Sequence, residues 1–195
     1  MIAAIDSSIL QFLYGIRDDT LISAFLFLSP IGETATMLAV TLIVAPVLFF
    51  WFRERAMGTG LLITMAASTA FTYILKHVVV RARPDIMYQA YAETGFSFPS
   101  GHSSAAAAFF GFFIFVAWKK MAPGPLRVVI ISAAVLYVLT MGFGRLYLGV
   151  HYLSDVVAGF LIGVFAAFVG RWTMSWIEKS GICTQEALRR VPSEQ

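Results

Sequence analysis

Residues 152–172 read Tyr-Leu-Ser-Asp-Val-Val-Ala-Gly-Phe-Leu-Ile-Gly-Val-Phe-Ala-Ala-Phe-Val-Gly-Arg-Trp, an apolar run with one carboxylate near its start and one guanidinium near its end. A helix needs about 20 mostly apolar residues to cross the hydrocarbon layer of a membrane, and this stretch meets that standard. Four others do as well. They are 34–52, stopped by Arg53-Glu54-Arg55; 56–80, stopped by Arg81-Ala82-Arg83-Pro84; 100–118, before Lys119-Lys120; and 126–144, after Pro123-Gly124-Pro125. The expected fold class is all-α, a polytopic membrane helix bundle with five transmembrane helices. Composition agrees: 59% of the 195 residues are hydrophobic and 13% charged, against about 45–50% and about 25% in soluble domains. The length suits one bundle. A net charge of +3, scattered at helix ends, is no signal for nucleic acid.

Residues 9–28 are apolar apart from Arg17-Asp18-Asp19 near their middle. Central Asp or Arg costs about 2.5–3.5 kcal/mol each on insertion scales. Residues 1–30 are therefore expected to form one or two amphipathic helices lying at the interface against the bundle; a sixth span is the alternative. This gives an N-terminal interfacial segment (1–30), a transmembrane core (31–176) and a cytoplasmic tail (177–195). The first residues lack the basic and long apolar regions of a signal peptide, so insertion is expected to rely on the spans themselves. The lone Cys183 has no intrachain disulfide partner. In a five-span arrangement Arg53, Arg55, Lys119, Lys120, Arg127, Arg171, Lys179, Arg189 and Arg190 fall on one side. The positive-inside rule makes that side cytoplasmic, with the N-terminus outside.

Three polar clusters share the opposite side. Lys76 and Arg83 are seven residues apart, two helical turns, so both are expected to point the same way from one helix end, with Pro84 ending the span. Pro99-Ser100-Gly101-His102 places a good N-cap and a glycine at a helix N-terminus, where free N–H groups suit an anion. His151 and Asp155 are four apart and are expected to stack on one helical face, the carboxylate orienting the imidazole as in a nucleophile-and-orienter pair. Singly, each cluster has a plainer reading: snorkelling cations, an ordinary cap, a structural pair. Together, three cations, two imidazoles and a helix N-terminus on one side point to phosphate chemistry.

At these residues the chain resembles the type 2 phosphatidic acid phosphatase superfamily, which includes vanadium haloperoxidases. The signature Lys-x6-Arg-Pro, Pro-Ser-Gly-His and Ser-Arg-x5-His-x3-Asp is matched at Lys76 to Pro84, Pro99 to His102 and Arg145 to Asp155. Gly144 replaces the usual serine. The resemblance implies that Lys76, Arg83, Arg145, Ser100 and the Gly101 N–H hold the phosphate. It implies that His151 attacks phosphorus to form a phosphohistidine with Asp155 assisting, and that His102 protonates the leaving oxygen. It implies no cofactor and no metal. The implied partners are a lipid phosphate substrate and a membrane, with the site facing the periplasm or outside of a bacterial inner membrane.

Two other classes compete with the phosphatase. A metal hydrolase using His77, His102, His151 and Asp155 is disfavoured by three cations beside it. A lipid-phosphate binder or transporter needs no oriented nucleophile. His77, about 100° around the helix from Lys76, reads as packing or interfacial. Gly159-x-x-x-Gly163 reads as close helix packing, and Phe109, Phe110, Phe112, Phe113 and Phe115 as a core or lipid-facing stripe. Among substrates, undecaprenyl diphosphate is expected first, because a compact form with a short N-terminal segment resembles the phosphatases that recycle that carrier. Phosphatidic acid or phosphatidylglycerophosphate is the alternative, and Gly101 suits it.

Overall fold

The computed structural model describes residues 1–180; Cys183, Arg189, Arg190 and the rest of 181–195 lie outside the described residues. Those described form seven α-helices and no strand: α1 (Ile2–Gly15), α2 (Asp19–Gly32), α3 (Thr34–Pro46), α4 (Arg55–Val79), α5 (Gly101–Lys120), α6 (Pro125–Tyr147) and α7 (Leu153–Ser180). A π-helical turn, Val47–Trp51, prolongs α3. Five helices are long and apolar enough to cross a membrane: Thr34–Trp51, Arg55–Val79, Gly101–Lys120, Pro125–Tyr147 and Leu153–Ser180.

The charged triplet near the N-terminus becomes a joint. Asp18 caps α2, accepting from the N–H groups of Thr20 at 2.8 Å and Leu21 at 3.0 Å. Arg17 Nε donates to the Tyr147 carbonyl at 2.7 Å, and the Asp18 N–H donates to the Tyr147 hydroxyl at 2.8 Å. The chain thus breaks where a sixth span would have to be continuous. Helices α1 and α2 have 14 residues each, or about 21 Å at 1.5 Å per residue, short of a roughly 30 Å hydrocarbon core.

Helices α4, α5 and α7 form the centre, drawn together by small residues. A Cβ at Gly159 would lie 2.6 Å from the Ser100 carbonyl oxygen, and one at Gly163 would lie 2.5 Å from that of Ser104. Only glycine lets α7 approach α5 so closely, so this pair serves packing. Phe112, Leu61, Met65 and Met174 fill the core beside the alanines of α5. Ser68 and Thr72 of α4 bond the Ser104 hydroxyl of α5 at 2.7 and 2.9 Å; such interhelical bonds contribute about 0.6 kcal/mol on average. Ion pairs Lys119–Glu178 and Lys120–Glu54 tie the far end. Helix α6 is outermost and exposes Leu126, Val128, Leu136 and Leu139.

Two helix boundaries differ from expectation. Helix α4 stops at Val79, because Val80 adopts a left-handed φ of 50° and its N–H returns to the Lys76 carbonyl. Arg83 therefore lies in a loop, and its closeness to Lys76 is not a matter of helical phase. Helix α7 starts at Leu153, so His151 precedes it rather than sharing a helical face with Asp155.

Candidate active site

The site forms where the end of α4, the 80–100 loop, the start of α5, the end of α6 and the start of α7 meet. His151 occupies the α6–α7 turn and is 3% exposed. Gly149 shapes that turn with φ +68°, and a Cβ on it would fall 2.0 Å from the Tyr88 carbonyl oxygen. Asp155, in the first turn of α7, is fully buried. Its carboxylate folds back on the turn: Oδ2 accepts from the Tyr152 N–H at 2.8 Å and from Ser97 Oγ at 2.5 Å. The same oxygen lies 3.5 Å from His151 Nδ1. On the other side of the ring, Nε2 lies 3.3 Å from Arg83 Nη1.

Burial, reinforced by the charges of Arg145 and Arg83 and opposed by Asp155, lowers the His151 pKa to about 4. The ring is then neutral near pH 7. A proton on Nδ1, facing Asp155, leaves the Nε2 lone pair toward the arginines, the form a nucleophile requires.

Behind Asp155 stands a charge network that motif reading missed. Arg81 Nη1 donates to Asp155 Oδ1 at 2.7 Å, and Arg81 Nη2 pairs with Asp6 Oδ2 of α1 at 2.8 Å. Asp6 also accepts from the Ser154 N–H at 2.9 Å and the Ser154 hydroxyl at 2.6 Å. Burial alone would raise the Asp6 pKa, but Arg81 and Ser154 hold it below the usual range. Arg81 lies inside the first cluster, yet its spacing carried no signal. Asp6 is 148 residues from Ser154 in sequence, and nothing local marks it.

The expected phosphate ligands are brought to the same place in unequal states. Arg83 is held through Nη1 by the Val150 carbonyl at 2.9 Å and through Nη2 by that of Thr94 at 2.9 Å. Lys76 Nζ donates to the Phe96 carbonyl at 2.6 Å. Arg145 is 2% exposed, with Nη1 on Ser29 Oγ at 2.8 Å and Nη2 on the Glu93 carboxylate. Glu93 also receives the Tyr91 hydroxyl at 2.5 Å and lies 3.9 Å from Arg83. Burial pushes its carboxyl up, and Tyr91 with both arginines holds it below the ordinary range. A loop carboxylate thus sits among the cations expected to take a phosphate. The Ser100 hydroxyl is buried and turned into the α5 cap, accepting from Ser103 Oγ at 3.0 Å. Gly101, half-buried, opens the helix at that cap.

His102 Nε2 lies 3.4 Å from Ser29 Oγ. Beside it opens a cavity of about 290 Å³ edged by Leu26, Ser29 and Pro30 of α2, by Glu33, and by Tyr91 and Glu93. His77 is turned outward, its Nδ1 2.8 Å from the Tyr73 carbonyl and its ring tilted against that of Tyr73 with centroids 4.2 Å apart, so the ligand set of the metal alternative does not converge.

Residues 57–180 match the family model of the PAP2 superfamily. The chain is 32% identical over 141 residues to phosphatidylglycerophosphatase B of Bacillus subtilis, covering 71% of this chain and 68% of that one. It is 27% identical over 156 residues to an undecaprenyl-diphosphatase of Sulfolobus acidocaldarius, covering 77% and 69%. The fold is similar to the crystal structure of a transmembrane PAP2-type phosphatidylglycerolphosphate phosphatase from Bacillus subtilis, with a TM-score of 0.78, 26% identity and coverage of 91% and 87%.

Proposed function

We propose, from the premise that this chain belongs to the PAP2 superfamily and is a membrane lipid phosphatase, that it hydrolyses lipid phosphomonoesters through a phosphohistidine at His151. The observation that carries the reading is the buried imidazole between Asp155 at 3.5 Å and Arg83 at 3.3 Å. His151 Nε2 attacks phosphorus in line with the leaving oxygen. The P–N bond forms as the P–O bond to the lipid breaks, and His102 gives that oxygen its proton. Lys76, Arg83 and Arg145, with the Gly101 N–H at the helix start capped by Ser100, neutralise the phosphoryl oxygens. Phosphoryl transfer is mainly positioning and charge stabilisation, which this set supplies without a metal or cofactor. Water, giving a proton to His102, then attacks phosphorus and breaks the P–N bond, and inorganic phosphate leaves.

Glycerolipid phosphates, such as phosphatidylglycerophosphate or phosphatidic acid, rank first. Hydrolysis of a diphosphate expels an anionic lipid phosphate, whereas hydrolysis of a monoester expels an uncharged alcohol. The cavity beside His102 is edged by Glu33 and Glu93, and carboxylates there favour the uncharged leaving group. This reverses the order expected from the sequence. Undecaprenyl diphosphate remains the second reading, favoured by three cations at one phosphate site. Comparing kcat/KM for phosphatidylglycerophosphate, phosphatidic acid and a polyprenyl diphosphate in one detergent tests the order. A tenfold preference for the diphosphate would reject the glycerolipid assignment. We further place the site on the periplasmic or outer side of a bacterial inner membrane, with α1 and α2 at the interface of a core spanning 31–176.

A further inference from the structure

Ser29 of α2 lies outside the residues matched by the family model, yet its hydroxyl meets two groups of the site. Arg145 Nη1 donates to it at 2.8 Å, and His102 Nε2 lies 3.4 Å from it. Its placement is fixed by neighbours on the same helical face, Phe25 one turn before and Gly32 one turn after. The Phe25 ring packs against Phe143 and Tyr147 of α6, with centroids 5.8 and 5.4 Å apart. Gly32 brings the end of α2 onto its neighbours: a Cβ there would lie 2.4 Å from Met141 Sδ and 3.6 Å from His102 Cδ2.

The same packing accounts for Gly144, which stands where the resembled family has serine. A Cβ at Gly144 would lie 2.8 Å from Phe25 Cδ1. Phe25 fills the space a serine side chain would take, and the hydroxyl beside Arg145 comes from the next turn of α2.

We propose that Ser29 is a positioning residue for His102, holding the imidazole against the Arg145 guanidinium with Nε2 aimed at the leaving oxygen. The proposal rests on the reading of His102 as general acid. A hydroxyl has one proton and two lone pairs. One lone pair takes the Arg145 N–H. The other takes a share of the Nε2–H of a protonated His102, the 3.4 Å contact leaving that hydrogen able to turn to the leaving oxygen as it arrives, and the hydroxyl proton serves a neutral ring. The ring is held in both states of the cycle, and Arg145 keeps its pairing with Glu93 without the hydroxyl, so losing Ser29 acts on proton delivery more than on phosphate binding.

The test separates these two by leaving group. An alkyl lipid phosphate expels an alkoxide that needs a proton, whereas para-nitrophenyl phosphate expels a phenolate that does not. In the purified full-length protein, Ser29→Ala should lower kcat/KM for the lipid phosphate about tenfold, the loss of one aligned hydrogen bond in the transition state. It should leave para-nitrophenyl phosphate within about twofold and vanadate inhibition unchanged, and Ser29→Thr should restore the lipid activity. The nearly isosteric Ser29→Cys gives the same readout should the alanine variant fold poorly. Equal losses on both substrates, weakened vanadate inhibition, or no loss at all would overturn the proposal. His102→Ala, measured alongside, separates the two readings. If it too lacks a leaving-group dependence, the general-acid assignment fails; if it has one that Ser29→Ala lacks, only the role of Ser29 fails.

Discussion

His151 combines burial, a carboxylate behind Nδ1 and a guanidinium before Nε2, and each has a measurable consequence. His151→Ala should reduce turnover by at least about a thousandfold, as loss of a nucleophile does, and rapid acid-free quenching of wild type should trap a phosphoenzyme that the variant lacks. Substantial activity in the alanine variant would remove the nucleophile. The depressed pKa of this histidine also ties stability to pH. An unfolded chain binds a proton at His151 below about 6.5, and the folded one only below about 4. The contribution is therefore complete above pH 6.5 and is lost as pH falls toward 4. Between pH 7 and 5 it amounts to at most about 2 kcal/mol, so Tm should fall further in wild type than in His151→Gln. A parallel fall in both would show that His151 does not couple folding to pH. At this scale much was legible: His151, Asp155, Arg83 and Arg145 converge as their motifs suggested. The Ser100 hydroxyl accepts within the α5 cap, a use the motif did not announce. Glu93 was unread because a loop carboxylate has neither periodicity nor motif to mark it.

The helices divide into those whose length announces them and those whose contacts give them meaning. The five long apolar helices were legible because hydrocarbon demands unbroken apolar length. Their ends were less so, since Val80 ends α4 by a backbone turn that composition does not encode. Helices α1 and α2 were legible as short segments against the bundle, but not as contributors to the site. Asp6 shows why: its meaning depends on Arg81 and Ser154, which meet it only after the bundle closes. Removing its charge tests whether α1 supports catalysis. Asp6→Asn leaves Arg81 paired with Asp155 alone and weakens the seating of α1 on α7. It should lower kcat about five- to thirtyfold, equivalent to about 1–2 kcal/mol, with KM little changed. A rise in KM with unchanged kcat would assign α1 to substrate entry instead.

For the whole molecule, charge distribution predicts orientation. Lys119 and Lys120 mark one end of the bundle, and the 80–100 loop with its site marks the other. In a Cys183→Ser background, an impermeant thiol reagent applied to intact cells should label Met87→Cys and spare Lys120→Cys. The reverse pattern would move the site to the cytoplasm. The motif residues sit in the part of the chain matched by the family model, and only the folded arrangement shows what borders them. One wall of the cavity beside His102 comes from α2, ahead of residue 57, where the family match begins. Exchanging residues 1–33 for the corresponding segment of a relative should therefore change the ratio of kcat/KM between two lipid phosphates while the phosphoenzyme still forms; an unchanged ratio would place selectivity elsewhere. The opening helices then serve both purposes, lending Asp6 and Ser29 to the site and one wall to the cavity beside it. A lineage that revises these helices to acquire a new diet of lipids must therefore keep two of their side chains, Asp6 and Ser29, in place.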